Sequence, residues 1–240
     1  MLYEVHALSR HFYRAGTAIC ALDSVSLQVA AGEFVAIVGP SGCGKTTLLH
    51  ILGAIDPDYV GQVRLDGQDL GHLSATACAS LRLAKIGFVF QNFQLLDALT
   101  VEQNIALPLW RLRGNRRNAE AKAAKVAEEL GIAHRLERRP QQLSVGEMQR
   151  AAVARALVCD PLVVLADEPT ASLDAENGRH IIDALQAIAQ QGRTVLVASH
   201  DAAVIASAKR VVKVERGKVI HDSAPPAPEA VAVGESVPAS

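Results

Sequence analysis

The chain has 240 residues, 24 Lys+Arg against 25 Asp+Glu, half of its residues hydrophobic and 4% aromatic. That length supports one large domain with a subdomain and a mostly aliphatic core, and the charge balance removes the electrostatic case for a nucleic-acid partner. No apolar run approaches the ~18 residues of a membrane span, and the N-terminus "MLYEVHALSRHFYR" lacks a signal peptide's apolar core, so the expectation is a cytosolic chain whose membrane role needs a partner.

In chain order, strand patterns fall at residues 2–8, 25–29 and 33–38, followed by a Gly-rich turn and an apolar helix near 45–53. "GQVRLDGQDL" (61–70) reads as a hairpin turning at Asp66-Gly67. Ser74 is placed to cap a helix running to about 84, and "IGFVF" (86–90) reads as a buried strand. Thr100 and Gln103 form a capping box for a helix over "VEQNIALPLWRLR", and the charged, Ala-rich residues 114–139 suggest one exposed helix and a connector. Ser144 and Glu147 in "LSVGEMQR" (143–150) form a second capping box ahead of apolar residues at helical spacing, and Pro161 closes that helix. "LVVLA" (162–166) and "TVLVAS" (194–199) are continuous apolar strands, as at the centre of a parallel sheet, separated by a helix over about 175–190. A short helix and two short strands follow. Strand alternating with helix implies parallel βαβ units, with a helical subdomain at 92–160 where strand signals are missing. The Pro-rich end, "HDSAPPAPEAVAVGESVPAS", reads as a disordered tail.

Cys20, Cys43, Cys78 and Cys159 form no CxxC pair and are expected to be reduced, as small buried or loop residues. The eight histidines lack ligand spacing, so no metal cage is assigned to them.

The chemistry starts at "GPSGCGKTT" (39–47), a GxxxxGK[ST] phosphate loop between a buried strand and a helix. Gly39, Gly42 and Gly44 let backbone N–H groups converge on phosphates. Lys45 supplies a point charge to the β and γ oxygens, the Thr46 hydroxyl suits Mg²⁺, and Thr47 adds a hydrogen bond. The complement is "LVVLADEP" (162–169). Asp167 ends an apolar strand at the carboxyl edge of the sheet, where such folds bind ligands, and can hold Mg²⁺. Its neighbour Glu168 can orient and deprotonate a water, which favours hydrolysis over binding alone. His200 ends "TVLVASH" at the same edge, within reach of a γ-phosphate. Gln91 ends "IGFVFQ", in reach of the metal or the water.

The phosphate loop, Gln91, "LSVGEMQR", "LADEPTASLD" and His200, in this order and spacing, resemble the ATPase subunit of an ABC transporter over roughly residues 2–220. The resemblance implies an α/β fold: a RecA-like P-loop NTPase core with an antiparallel β-subdomain and an α-helical subdomain, over residues 1–222, with a tail at 223–240. It implies ATP and Mg²⁺ as ligands, with Pro40, Ser41 and Cys43 completing the loop that holds the nucleotide. Two chains would pair head to tail, with Ser144 and Gly146 touching the partner's ATP and Asp174 crossing toward the partner's phosphate loop. Phe12 falls where the family stacks an aromatic on adenine, with Tyr13 as the alternative.

The segments "LLHILGAIDPDYVGQV" and "IGFVFQNFQLLDALTVEQNIALPL" resemble the macrolide-export and lipoprotein-release type. Such subunits drive a separate four-helix permease with a periplasmic domain, from the inner face of the plasma membrane, and residues 92–110 would face it. A relative of that type that regulates cell-wall hydrolases during division is an alternative, as is a soluble ABC ATPase acting away from membranes. The chain departs from the family at its signature loop, LSGGQ, where Val145 replaces the first Gly and Glu147 replaces Gln. Val145 fits if it is the first helical residue, and Glu147 fits if it folds back onto the Ser144 N–H. The expected effect of Glu147 is a weaker ATP-driven dimer, through repulsion of the triphosphate.

Overall fold

A computed structural model describes residues 1–14 and 17–223. The chain opens with β1 (Tyr3–Arg14) and β2 (Thr17–Val29), and β3 (Phe34–Val38) then leads through the Gly-rich turn into α1 (Lys45–Leu52). Next come β4 (Val60–Leu65), β5 (Gln68–Asp69), α2 (Ala75–Lys85) and β6 (Ile86–Val89). The strand-free middle holds α3 (Val101–Arg113), α4 (Arg116–Glu129), two 3-10 turns (Ala133–Arg135 and Pro140–Gln142) and α5 (Val145–Leu157). The last third is β7 (Val163–Asp167), α6 (Ala175–Gln190), β8 (Thr194–Ala198), α7 (Ala202–Ser207), β9 (Arg210–Glu215) and β10 (Lys218–Asp222).

Two sheets result. One has the order β10-β9-β3-β8-β7-β6 and is parallel except for the β9–β10 pair; the other, β2-β1-β4-β5, is antiparallel. Strand side chains alternate faces, and here the alternation separates two cores. Val163 and Leu165 of β7 and Leu196 and Ala198 of β8 pack with α1 and the antiparallel sheet. Val164, Ala166, Val195 and Val197 pack with α3, α5 and α6. Both faces of β7 and β8 are therefore dry, which is why they read as unbroken apolar runs. Among the described residues, no helix is long and apolar enough to cross a membrane.

Local signals decide most boundaries. Ser74, Thr100 and Ser144 cap their helices through their side chains. Asp66 and Gly67 both take positive φ, 51° and 75°, the conformation an Asp-Gly hairpin turn demands.

Four expectations need correction. Strands β1 and β2 run on through residues 9–14 and 17–24, because their outer halves pair with each other, Leu22 among them reaching the core; register shifts at residues 5–11 break the alternation that marks a strand. Residues 116–129 are not wholly exposed, since Ala119, Ala123, Val126 and Ala127 bury one face of α4. Cys20 is neither buried nor in a loop but lies exposed within β2. His221 and Asp222 belong to β10 rather than to a tail. The disorder expected for 224–240 lies outside the described residues.

Candidate functional site

The phosphate loop leaves β3 and winds into α1 through Gly44, the N-cap, at φ 110°. A Cβ there would meet the carbonyl oxygen of Ala21, so the close approach of β2 enforces glycine. Helix α1 aims its free N–H groups into a cavity of about 540 Å³ lined by Ala21, Gly39, Pro40, Ser41, Gly42, Gly44, Lys45, Thr46, Thr47, Gln91, Glu168, Ala171 and His200. A helix N-terminus with converging N–H groups is an anion site.

The parallel sheet brings the other groups to the same edge. Asp167 ends β7 and is 5% exposed; its Oδ1 accepts a hydrogen bond from Thr46 Oγ1 at 3.1 Å. Burial pushes this carboxyl up, against the pull of the Thr46 hydroxyl. Glu168 takes φ 46° and donates its backbone N–H to Ala198 O at 2.8 Å. A left-handed non-glycine residue costs about 1–3 kcal/mol unless its surroundings hold it. Here the turn directs the Glu168 side chain, 13% exposed, toward the phosphate loop, with Oε1 3.8 Å from Lys45 Nζ.

Lys45 Nζ donates to the loop's own carbonyls, Gly39 O at 2.8 Å and Pro40 O at 3.2 Å. His200 Nδ1 lies 3.0 Å from Glu168 Oε2, although its own side chain is 73% exposed. Ser199 Oγ is 3.4 Å from the same carboxylate and accepts from Asp201 N, while Asp201 Oδ2 accepts from Thr170 Oγ1 at 2.8 Å. The pairing of His200 with Glu168, and the chain of Ser199, Asp201 and Thr170 behind it, were not read from the sequence. They join residues 31 or 32 apart whose adjacency follows from β7 lying beside β8. Gln91 lines the cavity two residues beyond β6, and Cys43 is buried behind the loop.

Six predicted residues lie outside this lining: Phe12, Cys43, Ser144, Gly146, Asp167 and Asp174. Phe12 is exposed on β1, with Arg10 Cζ 4.3 Å from its ring centroid, so one face of the ring is occupied by a cation. Ser144 caps α5 as expected, with Val145 as the first helical residue. Ser144 Oγ accepts from Glu147 N at 3.3 Å, and the Ser144 hydroxyl also interacts with the Glu147 carboxylate. Asp174 caps α6 and accepts from Asn177 N at 2.8 Å. A Cβ on Gly146 would overlap the Asn177 amide, which itself accepts from Arg150 Nη1 at 3.0 Å. Asn177 therefore ties the turn at Ser144 to the turn at Asp174, a link that sequence spacing did not reveal.

Glu147 folds back as expected: its Oε2 accepts from Ser144 N at 2.7 Å. Its Oε1 also accepts from Arg135 Nε at 2.7 Å, so the expected uncompensated charge is instead paired.

This fold and site define a P-loop nucleotide-binding protein of the α/β class. The family model described as "ABC transporter" matches residues 22–171. The chain is 42% identical over 227 residues to the macrolide export ATP-binding/permease protein MacB of Rhodospirillum rubrum, covering 95% of this chain and 35% of that protein. It is 39% identical over 228 residues to the MacB of Salmonella paratyphi A, again 95% of this chain and 35% of that one. Among solved structures, the dimeric structure of MJ0796, titled a bacterial ABC transporter cassette, superposes with a TM-score of 0.87 at 34% identity, covering 92% of this chain and 97% of that chain. The chain belongs to the ABC transporter family, as one of its ATP-binding cassettes. It spans about a third of the length of the curated relatives it matches.

Proposed function

We propose that this chain binds ATP with Mg²⁺ and hydrolyses it within a head-to-tail pair of copies, and that the pair drives a permease of the macrolide-export and lipoprotein-release type from the inner face of the plasma membrane. The observation that carries hydrolysis is the Glu168 carboxylate, held over the phosphate loop between Lys45 and His200. Thr46 Oγ1 and Asp167 Oδ1, a hydroxyl and a carboxylate already 3.1 Å apart, suit the hard-oxygen preference of Mg²⁺, and Gln91 lines the same cavity. The ion, when bound there, would neutralise charge on the phosphates.

Each residue then has a task. Loop N–H groups and the α1 N-terminus cradle the phosphates, and Lys45 exchanges the carbonyls of Gly39 and Pro40 for phosphate oxygens. Glu168 accepts a proton from the attacking water, and His200 and Ser199 hold its carboxylate in one orientation. From the other copy, Ser144 O–H and the N–H groups of Val145 and Gly146, unpaired at the α5 N-terminus, donate to the γ-phosphate, and Asp174 approaches the facing loop. Phe12 offers its uncovered face to adenine. The MJ0796 structures support the pairing, since one is titled dimeric and the other a dimeric post-hydrolysis state bound to ADP and Pi.

Permease contact is supported by a groove of about 450 Å³ between the core and the helical subdomain, lined in part by Phe88, Phe90, Gln94, Pro108 and Arg111. Arg155 donates to Phe93 O and Gln94 O, which fixes the groove's wall at residues predicted to face the permease.

Glu168→Gln tests the hydrolytic reading. ATP affinity, read by fluorescent-nucleotide titration, should be kept while phosphate release falls ~10²–10⁴-fold, the usual worth of a positioned base. Hydrolysis at the unaltered rate would rule out Glu168 as that base.

A further inference from the structure

Glu147 places a carboxylate where a triphosphate is to dock. It is 7% exposed, and its two oxygens are used differently. One accepts from Ser144 N and closes the α5 cap; the other meets Arg135 Nε at 2.7 Å, with His134 Nε2 at 3.6 Å from the same oxygen. Arg135 and His134 come from the 3-10 turn Ala133–Arg135, outside α5. Without Arg135 the buried carboxylate would keep the Ser144 N–H but lose its closest counter-charge, which is costly. Its relief is to swing out, releasing Ser144 N and carrying a negative charge toward the docking phosphate.

We infer that Arg135 is a positioning residue for the α5 turn: it cancels the charge of Glu147 and pins it in the capping geometry, so that Ser144 O–H and the Val145 and Gly146 N–H groups meet the partner's triphosphate with no competing anion. This rests on the paired-copy reading above. Arg135 touches no nucleotide in this account and acts through Glu147. The Arg135–Glu147 couple replaces a neutral Gln by a charge and its counter-charge, and the turn remains an anion-binding one.

The test uses the Glu168→Gln chain with Mg²⁺ and ATP, its dimer measured by size exclusion over a range of protein concentrations. Adding Arg135→Ala should weaken the dimer by about 10-fold, about 1.4 kcal/mol, the scale of one charge–charge contact in a partly solvated site. Monomer ATP affinity should stay unchanged, which shows that the variant is folded. Adding Glu147→Gln to that double variant should restore the dimer, because the unpaired charge is then gone. The Arg135→Ala defect should also shrink as salt rises and screens the repulsion. A packing role for Arg135 would produce neither the rescue nor the salt response. An Arg135→Ala dimer as tight as its parent, or one that Glu147→Gln fails to rescue, overturns the inference while leaving the paired-copy reading intact. A Glu168→Gln chain that stays monomeric overturns that reading, and this inference with it.

Discussion

The Arg135–Glu147 couple makes stability depend on pH. Burial pushes the Glu147 carboxyl up, but the Ser144 backbone N–H and the Arg135 guanidinium outweigh it and bring it down from 4.5 to about 2. A depressed carboxylate stabilises the fold fully above its unfolded value and loses that stabilisation as pH falls through the folded one. The window is therefore from about 4.5 down to about 2. At 1.36 kcal/mol per pH unit the ceiling is about 3 kcal/mol. Arg135 is 38% exposed, so solvent screens the pair and about 1–2 kcal/mol is the working value. Glu147→Gln keeps an acceptor for Ser144 N but has no proton to bind. The stability advantage of the unaltered chain over this variant should shrink by about 0.5–1 kcal/mol between pH 6 and pH 3, roughly half of the working value. Urea unfolding at four pH values reads this directly. Parallel stability curves would refute the assignment of Glu147 as an ionised, clamped carboxylate.

Lys45→Ala should abolish measurable ATPase activity and weaken nucleotide binding by about 10- to 100-fold, since a charge-assisted contact is worth about 1.5–3 kcal/mol; equilibrium titration checks it. Gly146→Ala should lower the melting temperature as well as activity, because its Cβ displaces the Asn177 amide and its bond from Arg150. Overpacking of this kind costs about 1–3 kcal/mol, and an unchanged thermal melt would contradict the close approach.

Most of the site was legible because its residues sit at ends that sequence marks. Dry strands such as β7 and β8 betray themselves as apolar runs, and the polar residue that follows each falls at one sheet edge. The caps at Thr100 and Ser144 were legible because both partners lie within four residues. What stayed hidden is what the tertiary fold assembles. Arg135 reaches Glu147 across 12 residues and a 3-10 turn. Ser199 and His200 meet Glu168 from the neighbouring strand, and Asn177 of α6 fills the space over Gly146. The outer halves of β1 and β2 were missed for a different reason: residues 11–13 and 17–20 are exposed, the pairing is bulged, and no alternating burial marks them.

The central claim is that two copies close on ATP, each completing the other's site. Light scattering on the Glu168→Gln chain after size exclusion tests it most directly. With Mg²⁺ and ATP the mass should double, and with ADP, or with ATP and Lys45→Ala added, it should remain that of one chain. A monomer under all conditions, from a protein that still binds ATP, would contradict the claim.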